Sequence, residues 1–464
     1  MTDPSAMLAW TQAILGVNPL VPKRPLPDYL KAIPRLASLA GVPSGTPVLV
    51  RGDVDVKPGK TVGEGDIRLR SMVETLRFGQ SKGWKQIVFG HKGRKPEESL
   101  DAVGRRLGEI LGCNVPLVAD WLDESTMTIR DQVTETIQAA APGCILLLEN
   151  TRKYEIERLL WKAKPADLPG LADKLAKIAN EYFAKIATIY LNEALSAGSL
   201  DTSTTIVPAA MDRVALGAYV AHEFDGPMMR CLSADLVVFS GLKTDKLDDL
   251  EAVIGRGAVE MVFVAGSLAL AVKKAEALLA GNDFCLGVAE DPAHADKPYF
   301  IATQRIEQAK RMLSNGRVKG IEFVLPIDFV LQDGKPADRL QPGDQQFDVG
   351  PKTSDQFARK IGEFIARHKG KPTAAFYNGV LGMFEEPRFE DGTRKFIAQL
   401  KRMKDAGIEV FVGGGEGGEA LHRYGKEDDC THCFTAGGTV LNALGSEPVP
   451  YLVALTMAAK RGRQ

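Results

Sequence analysis

Residues 48–58 read Val-Leu-Val-Arg-Gly-Asp-Val-Asp-Val-Lys-Pro, an apolar run that stops abruptly in charged side chains. The run has the composition of a buried strand, and Arg51, Asp53 and Asp55 stand where that strand ends. Open α/β sheets bind their ligands outside the carboxyl ends of their strands. The stretch therefore predicts the first strand of an α/β sheet that delivers charged groups to a ligand.

The same alternation of short apolar runs with longer helical patterns continues along the chain. It indicates βα units and a mostly parallel sheet. The runs that predict strands are 47–50, 86–89, 144–148, 188–191, 236–239, 261–265, 321–325, 373–376 and 409–412. A chain of 464 residues is long enough for two domains of roughly 200 residues each. We expect an α/β protein with two doubly wound parallel sheets.

Composition excludes several classes of partner. The 58 Lys and Arg nearly balance the 59 Asp and Glu, so there is no global field to attract nucleic acid or an anionic membrane. Six Cys, without a basic-then-apolar opening, fit a reducing compartment. No run reaches the roughly 18 apolar residues that a membrane helix needs. We expect a soluble cytoplasmic protein with neither a nucleic-acid nor a membrane partner.

The predicted strand ends differ between the two halves of the chain. In the first half they carry charge, at Asp53 and Asp55, His91 to Arg94, Glu149 to Arg152, and Asn192 with Glu193. In the second half they carry glycine and amide groups, at Ser240 to Lys243, Asn378 to Gly382, and Gly413 to Gly418. The first half is predicted to bind a small charged molecule, and the second to let its backbone approach phosphates.

The glycine cluster at 413–418 allows more than one interpretation. Gly413, Gly415 and Gly418 fit the dinucleotide pattern G-x-G-x-x-G, but the acidic residue expected about 20 positions on is missing. No P-loop pattern occurs. A tight turn accounts for one or two glycines, but not for five in six residues, since each costs backbone entropy. Backbone amides that hold phosphate at a helix N-terminus explain the run better.

Motifs follow one another along the chain in a recognisable order. They are Arg51-Gly-Asp-Val-Asp55-Val-Lys-Pro58, Arg68, His91-Lys-Gly-Arg94, Leu148-Glu-Asn-Thr-Arg152, Asn192-Glu-Ala194, Lys243-Thr-Asp-Lys246, Asp348-Val-Gly-Pro-Lys-Thr353, Asn378-Gly-Val-Leu-Gly-Met-Phe-Glu385, Gly413-Gly-Gly-Glu416 and Ala436-Gly-Gly438. In these motifs and their order the chain resembles the phosphoglycerate kinase family, as a divergent member, from about residue 46 to 458.

The resemblance implies two Rossmann-like domains separated by a hinge cleft that closes during turnover. The implied segments are an N-terminal extension (1–45, outside the resemblance), an acceptor domain (46–213), a connecting helix (214–227), a nucleotide-binding domain (228–435) and a segment that returns to the first domain (436–464). The implied reaction is the glycolytic one, reversible phosphoryl transfer between ATP and the carboxylate of 3-phosphoglycerate, which gives an acyl phosphate. Mg²⁺ with ATP or ADP and a monomeric state are implied as well.

The resemblance also implies a role for each matching residue. The catalytic set is Arg68, Lys243, Gly414 and Gly415. The residues implied to bind the acceptor are Asp53, Asp55, Arg68, His91, Arg94 and Arg152. Those implied to bind the nucleotide are Gly241, Lys243, Lys246, Asn378, Glu385, Gly413, Gly414, Gly415 and Glu416, with Glu416 contacting the metal of the magnesium-nucleotide.

The positions that differ from the family pattern are those implied to recognise the acceptor and the nucleotide base. Asp55 replaces an Asn, and the loop Ser199-Leu200-Asp201-Thr202 replaces His-Arg-Ala-His, so Leu200 stands for one of three phosphate-clamping arginines. On the base side, Leu242 and Val380 replace Ala and Pro. We therefore expect an active kinase with 3-phosphoglycerate as the default acceptor. A kinase specialised for another carboxylate, or a non-catalytic nucleotide-responsive binding protein, is the alternative.

Overall fold

The computed structural model describes residues 2–57, 66–93, 95–242, 245–445 and 448–462. The chain forms two compact units. Unit 1 comprises Met1–Asp225 with Glu447–Gln464, and unit 2 comprises Gly226–Ser446. Within the described ranges, no helix is both long enough and apolar enough to cross a membrane.

Unit 1 is built on a six-stranded sheet with helices around it. Its elements in chain order are α1 Pro4–Ile14, α2 Leu26–Ala32, β1 Pro47–Gly52, α3 Ile67–Ser71, α4 Val73–Ser81, β2 Lys85–Phe89, α5 Asp101–Leu111, β3 Leu117–Val118, β4 Leu122–Asp123, β5 Thr128–Ile129, α6 Asp131–Ala139, β6 Ile145–Leu148, α7 Leu168–Glu181, β7 Ile189–Glu193, α8 Thr202–Thr205, β8 Arg213–Leu216 and α9 Ala218–Glu223. The sheet order is β3-β6-β2-β1-β7-β8, all parallel, while β4 and β5 form a separate antiparallel pair.

The position of β1 explains its continuous apolar composition. It pairs with β2 and β7, so that Leu49 lies opposite both Ile87 and Tyr190. Side chains alternate between the two faces of a strand, and helices cover both faces of a doubly wound sheet. Val48, Leu49 and Val50 are accordingly fully buried. A central strand of this kind brings residues 51–55 to the carboxyl edge of the sheet.

The N-terminal 45 residues belong to the fold of unit 1. Helix α1 packs on α7, and its Met7 and Ile14 are buried. The Trp10 indole on the same helix donates a hydrogen bond of 2.8 Å to the Thr205 carbonyl. The extension, which lies outside the family resemblance, therefore packs as part of the folded core of this unit.

Unit 2 repeats the architecture with its own core. Its elements are α10 Met229–Cys231, β9 Leu236–Phe239, α11 Lys246–Gly255, β10 Met261–Val264, α12 Gly266–Leu279, α13 Thr303–Val318, β11 Glu322–Val324, β12 Phe329–Leu331, β13 Pro336–Ala337, β14 Gln346–Val349, α14 Pro351–His368, β15 Ala374–Asn378, α15 Asp391–Asp405, β16 Glu409–Val412, α16 Glu416–Tyr424, β17 His432–Cys433 and α17 Gly437–Leu444. The parallel sheet has the order β11-β10-β9-β15-β16-β17, and β13-β12-β14 form a small antiparallel sheet.

The predicted α/β class with two parallel sheets is confirmed, and each predicted apolar run is a strand of one of them. Residues 214–216, which the sequence analysis assigned to a connecting helix, instead belong to β8, and the helix starts at Ala218. The segment 436–464, which was predicted to return to the first domain as a whole, is shared between the two units. Helix α17 packs on α11 within unit 2, whereas the last helix, α18 Pro450–Arg461, packs on α2 and β8 within unit 1.

Candidate active site

Charged side chains gather at the carboxyl edge of the unit 1 sheet. We call Arg51, Asp53, Asp55, Arg68, His91, Arg152 and Asp201 the acceptor half-site. Arg51 lies in the last two residues of β1 and Asp53 directly follows that strand. His91 lies just beyond β2, and Arg152 lies just beyond β6. Because the carboxyl ends of parallel strands meet at one edge of a sheet, loops distant in the sequence converge here.

Arg68 lies between the two aspartates that follow β1. Its Nη1 atom is 3.7 Å from Asp53 Oδ1 and 3.7 Å from Asp55 Oδ2. The same nitrogen donates a 3.0 Å hydrogen bond to the Asp55 carbonyl. Arg68 sits in the first turn of α3 and remains partly exposed. The arrangement presents a positioned guanidinium at the edge of the sheet.

Asp53 is a fully buried carboxyl group. Its Oδ1 accepts a 2.7 Å hydrogen bond from Ser196 Oγ, whereas Oδ2 has no hydrogen-bond partner among the described residues. Burial raises the pKa of Asp53, and the nearby guanidinium of Arg68 opposes that shift. The site thus contains a buried oxygen that can accept a further hydrogen bond.

His91 is a buried, neutral imidazole. Burial lowers its pKa well below the usual value, and the guanidinium groups of Arg51, Arg152 and Arg68 lower it further. Arg51 Nη2 lies 2.5 Å from His91 Nδ1. A guanidinium can only donate, so Nδ1 accepts and the ring proton is on Nε2. Nε2 is 3.7 Å from Asp55 Oδ2, and it is the donor that His91 offers to the half-site.

Arg152 is surrounded by acceptors from the protein itself. Nη1 donates 2.8 Å to the Gly93 carbonyl, and Nη2 donates to Ser199 Oγ at 2.9 Å. Nη2 also contacts both carboxylate oxygens of Asp201, at 3.1 and 3.2 Å. The guanidinium carbon lies 4.7 Å from the ring centroid of Trp161. Sequence reasoning noted the gain of Asp201 in this loop, but it gave no signal that Asp201 pairs with Arg152.

Unit 2 holds a glycine-lined turn at the end of β16. A Cβ on Gly413 would lie 2.5 Å from Asn378 Nδ2, and one on Gly414 would collide with the Phe434 carbonyl. Gly415 has a φ of +71°, which favours glycine, and it precedes the first residue of α16. Gly413 and Gly414 are buried, whereas Gly415 is exposed and presents its backbone at a helix N-terminus, a position suited to anions. We call Gly413 to Glu416 the phosphate turn.

A second close approach of backbone lies beside β9. Gly241 has a φ of +136°, and a Cβ on Gly266 would lie 2.7 Å from the Gly241 carbonyl oxygen. Lys246 begins α11, and its Nζ donates 2.8 Å to the Ser240 carbonyl. These contacts bring the ammonium group of Lys246 next to Gly241.

A cavity of about 350 Å³ opens in unit 2. Its lining includes Gly241, Glu385 and Glu416, which the sequence analysis predicted for the nucleotide, and Leu242 and Val380, which it assigned to the base side. The cavity adds Gly266, Ser267, Pro298, Tyr299, Gln345, Gln346, Phe347, Leu381, Gly382 and Met383. Tyr299 comes from a loop with no motif, so nothing in its sequence context marks it as a lining residue. Phe347 lies in β14, directly before the Asp348–Thr353 motif.

Two predicted site residues, Arg94 and Lys243, lie outside the residues that the structure describes. Among the described residues, no cluster of three or more His, Cys, Asp or Glu side chains forms a metal site. Glu416 is a single exposed carboxylate at the start of α16 and lines the cavity. Mg²⁺ is commonly bound by one or two carboxylates together with substrate phosphates, so this donor fits a metal that arrives with a nucleotide.

A doubly wound parallel sheet with a glycine-rich turn at a helix N-terminus and an adjoining cavity is the architecture of a nucleotide-binding α/β protein. The family model described as "Phosphoglycerate kinase" matches residues 42–447. The chain therefore belongs to the phosphoglycerate kinase family, and it is a kinase of that family's type.

Relatives across the family agree with this membership. The chain is 27% identical over 435 residues to the cytosolic phosphoglycerate kinase of Triticum aestivum, covering 89% of this chain and 96% of that protein. It is 28% identical over 425 residues to the phosphoglycerate kinase of Clostridium beijerinckii, with coverages of 89% and 96%.

Solved structures support the fold alone, because their identity to this chain is low. The phosphoglycerate kinase of Pyrococcus horikoshii OT3 matches with a TM-score of 0.69 at 21% identity, covering 92% of this chain and 100% of that one. The phosphoglycerate kinase of Coxiella burnetii matches with a TM-score of 0.64 at 22% identity, covering 90% and 97%.

Proposed function

We propose that the protein reversibly transfers a phosphoryl group between ATP and the carboxylate of 3-phosphoglycerate or a related small acid. The observation that carries the proposal is the phosphate turn, whose crowded glycines and positive-φ Gly415 leave backbone rather than side chains at the start of α16. This chemistry needs positioning and positive charge around the migrating group and little covalent help from the protein.

In the forward direction, a carboxylate oxygen of the acceptor attacks the γ-phosphorus of ATP. A new phosphorus–oxygen bond forms, the bond to the bridging oxygen breaks, and ADP leaves with that electron pair. The attacking carboxylate is already ionised, so no general base is required. Arg68 pairs with the acceptor carboxylate and then stabilises negative charge on the transferring group. Asp53 and Asp55 accept hydrogen bonds from the rest of the acceptor.

On the nucleotide side, the backbone of Gly413 to Gly415 holds the phosphates, with Asn378 beside it. Asn378 Oδ1 is buried without a partner among the described residues, and as a carbonyl oxygen it can accept a hydrogen bond from a donor on the ligand. Lys246 and Lys243 supply positive charge, and Glu385 contacts the ribose. Glu416 would hold Mg²⁺, which neutralises phosphate charge when it binds with the nucleotide. We propose a monomeric cytoplasmic enzyme whose partners are a small carboxylic acid and a nucleotide.

Trapping of the acyl phosphate tests the reaction directly. The protein is incubated with MgATP, a carboxylic acid and hydroxylamine, and hydroxamate and ADP are measured together. Arg68→Ala should lower kcat at least a hundredfold, because it removes a charge-stabilising donor. Binding of ADP, measured by calorimetry, should persist in this variant.

Arg70→Ala is the matched control on the same short helix. Arg70 lies 3.8 Å from Asp66 and is more exposed than Arg68, so its removal should leave kcat within about twofold. If the wild-type protein binds ADP but gives no hydroxamate with any small carboxylate, the protein is a nucleotide-responsive binding protein rather than an enzyme.

A further inference from the structure

The guanidinium of Arg152 is already neutralised by the protein. Asp201 is fully buried, and its two carboxylate oxygens lie 3.1 and 3.2 Å from Arg152 Nη2. The Trp161 indole donates 2.8 Å to Asp201 Oδ1, which fixes the carboxylate in this orientation. A phosphate that approached Arg152 would have to displace a charge-assisted pair held in a buried environment.

The loop that carries Asp201 provides no replacement cation. Leu200 stands beside it where the family resemblance implies an arginine, and Ser199 Oγ accepts from Arg152. Lys92 Nζ, another nearby basic group, donates 3.0 Å to the Ser99 carbonyl. Arg94 lies outside the described residues and plays no part in this inference.

The ion pairs of the described half-site lie within the protein. Arg68 lies 3.7 Å from Asp53 and from Asp55, Arg152 pairs with Asp201, and burial lowers the pKa of His91. A phosphate monoester carries roughly −1.5 to −2 at pH 7, in addition to the charge of the acceptor's own carboxylate. Arg152 offers such a phosphate no positive charge that Asp201 does not already compensate.

A polar atom of the half-site without a hydrogen-bond partner indicates which functional group the acceptor has. Asp53 Oδ2 is buried without a hydrogen-bond partner among the described residues, and it can only accept from a hydroxyl or an ammonium group. A buried oxygen left without a donor is destabilising, so a ligand that supplies a donor is favoured.

We propose that Asp201 is a specificity-determining residue that withholds Arg152 from phosphate, and that the acceptor is a small, phosphate-free carboxylic acid bearing a hydroxyl or ammonium group. The inference rests on the proposed function and narrows its acceptor. Asp201 acts through Arg152, so it is a positioning residue rather than a catalytic one.

Two matched pairs of acids test the inference, D-glycerate with 3-phosphoglycerate and L-serine with O-phospho-L-serine. Within each pair the acids differ only by the phosphate. In the hydroxylamine assay with wild-type protein, the phosphate-free member of at least one pair should have a kcat/KM at least tenfold above that of its partner.

Asp201→Asn should move this selectivity towards phosphate. The amide keeps the shape and can still accept from Trp161, but it releases the charge of Arg152. The ratio of kcat/KM for the phosphorylated over the phosphate-free acid should rise roughly ten- to a hundredfold, mainly through KM. Asp328→Asn is the matched control. It makes the same change at a buried carboxylate that bonds to Thr353 in unit 2 rather than to Arg152, and it should leave the ratio unchanged.

The outcomes separate the two proposals. Wild-type kcat/KM equal or higher for the phosphorylated member of both pairs would overturn the inference and leave the kinase function standing. Folded Asp201→Asn protein that keeps the wild-type ratio would likewise overturn the inference alone. No hydroxamate from any of the four acids, or from a wider carboxylate panel, would overturn the proposed function and the inference with it.

Discussion

The phosphate turn has no space for a side chain at Gly414. A Cβ at this position would collide with the Phe434 carbonyl and lie 2.8 Å from the Ala436 amide nitrogen. Both are backbone atoms, so neither can rotate away as a flexible side chain would. Any residue larger than glycine therefore has to move the turn itself.

Gly414→Ala should weaken ADP binding by roughly ten- to a hundredfold, the equivalent of one lost charge-assisted hydrogen bond. Calorimetric titration with ADP measures the effect. Gly438→Ala is the control, because a Cβ there would meet nothing within 4 Å, and its affinity should match the wild type. Unchanged ADP affinity in folded Gly414→Ala protein would contradict the role of the turn.

Residue identity was predictable at the site wherever a motif follows a strand, as for Asp53, His91 and Gly413. Pairing was not. Arg152 was expected to be available to a substrate, whereas the structure surrounds it with Asp201, Ser199 and Trp161. These contacts span 9 to 49 residues of sequence. They depend on rotamers and loop paths that a one-dimensional pattern does not specify.

At the scale of the element, helix α9 depends on a buried carboxyl group from the strand beside it. Glu193 ends β7, and its oxygens accept from the amides of Tyr219 and Val220 at 3.1 and 3.2 Å. Both amides belong to the first turn of α9, where no intrahelical acceptor exists. A Cβ on Gly217 would collide with this carboxyl group, so the cap also fixes the preceding residue as glycine.

Burial raises the pKa of Glu193 to about 7 from an ordinary value of 4.5, against the hydrogen bonds that favour the charged form. The folded protein holds this proton more tightly than the unfolded chain. The contribution to the free energy of unfolding is therefore fully present below about pH 4.5 and is lost as the pH rises through 7. The loss amounts to roughly 3 kcal/mol.

Glu193→Gln should remove this dependence, because glutamine does not titrate. Its one carbonyl oxygen replaces only one of the two acceptors that Tyr219 and Val220 use, so the variant should also be less stable than the wild type at pH 5. Urea unfolding at pH 5 and pH 8 measures it. Between these two pH values the free energy of unfolding of the wild type should fall by roughly 2.5 kcal/mol more than that of the variant, because at pH 5 part of the effect is already lost. Glu181→Gln, at the exposed end of α7, should retain the wild-type dependence. Parallel slopes for Glu193→Gln and the wild type would show that Glu193 is not the titrating group.

The strands and helices that are most deeply buried were the easiest to predict from the sequence. Strands near the centre of each sheet, such as β1 and β9, are continuous apolar runs because helices cover both faces. Two-residue strands such as β3 and β17 carry too little sequence to form a pattern. Residues 214–216 were mistaken for helix because an apolar edge strand runs directly into α9, with a single residue, Gly217, between them.

At the scale of the whole molecule, the two units differ in a spectroscopically useful way. All four tryptophans, Trp10, Trp84, Trp121 and Trp161, belong to unit 1. Trp84 and Trp121 are fully buried there, so their fluorescence will change strongly when that core opens. Unit 2 has a core of its own, rich in phenylalanine, and contains no tryptophan. Tryptophan emission therefore reports one unit, whereas far-ultraviolet circular dichroism reports both.

Because the phosphate turn and the cavity belong to unit 2, ADP should stabilise that unit selectively. At a ligand concentration a hundred times Kd, the gain is about 2.7 kcal/mol. In urea titrations, ADP should move the dichroism transition to higher denaturant, while the midpoint from tryptophan emission stays within error of the ligand-free value. Gly414→Ala should reduce the dichroism shift at the same ADP concentration. An equal shift of the tryptophan midpoint would mean either that ADP binds in unit 1 or that the two cores unfold as one. Circular dichroism of Gly414→Ala separates these cases. If ADP binds in unit 1, the variant should keep the full dichroism shift, whereas the shift should shrink if ADP binds at the phosphate turn and the cores unfold together.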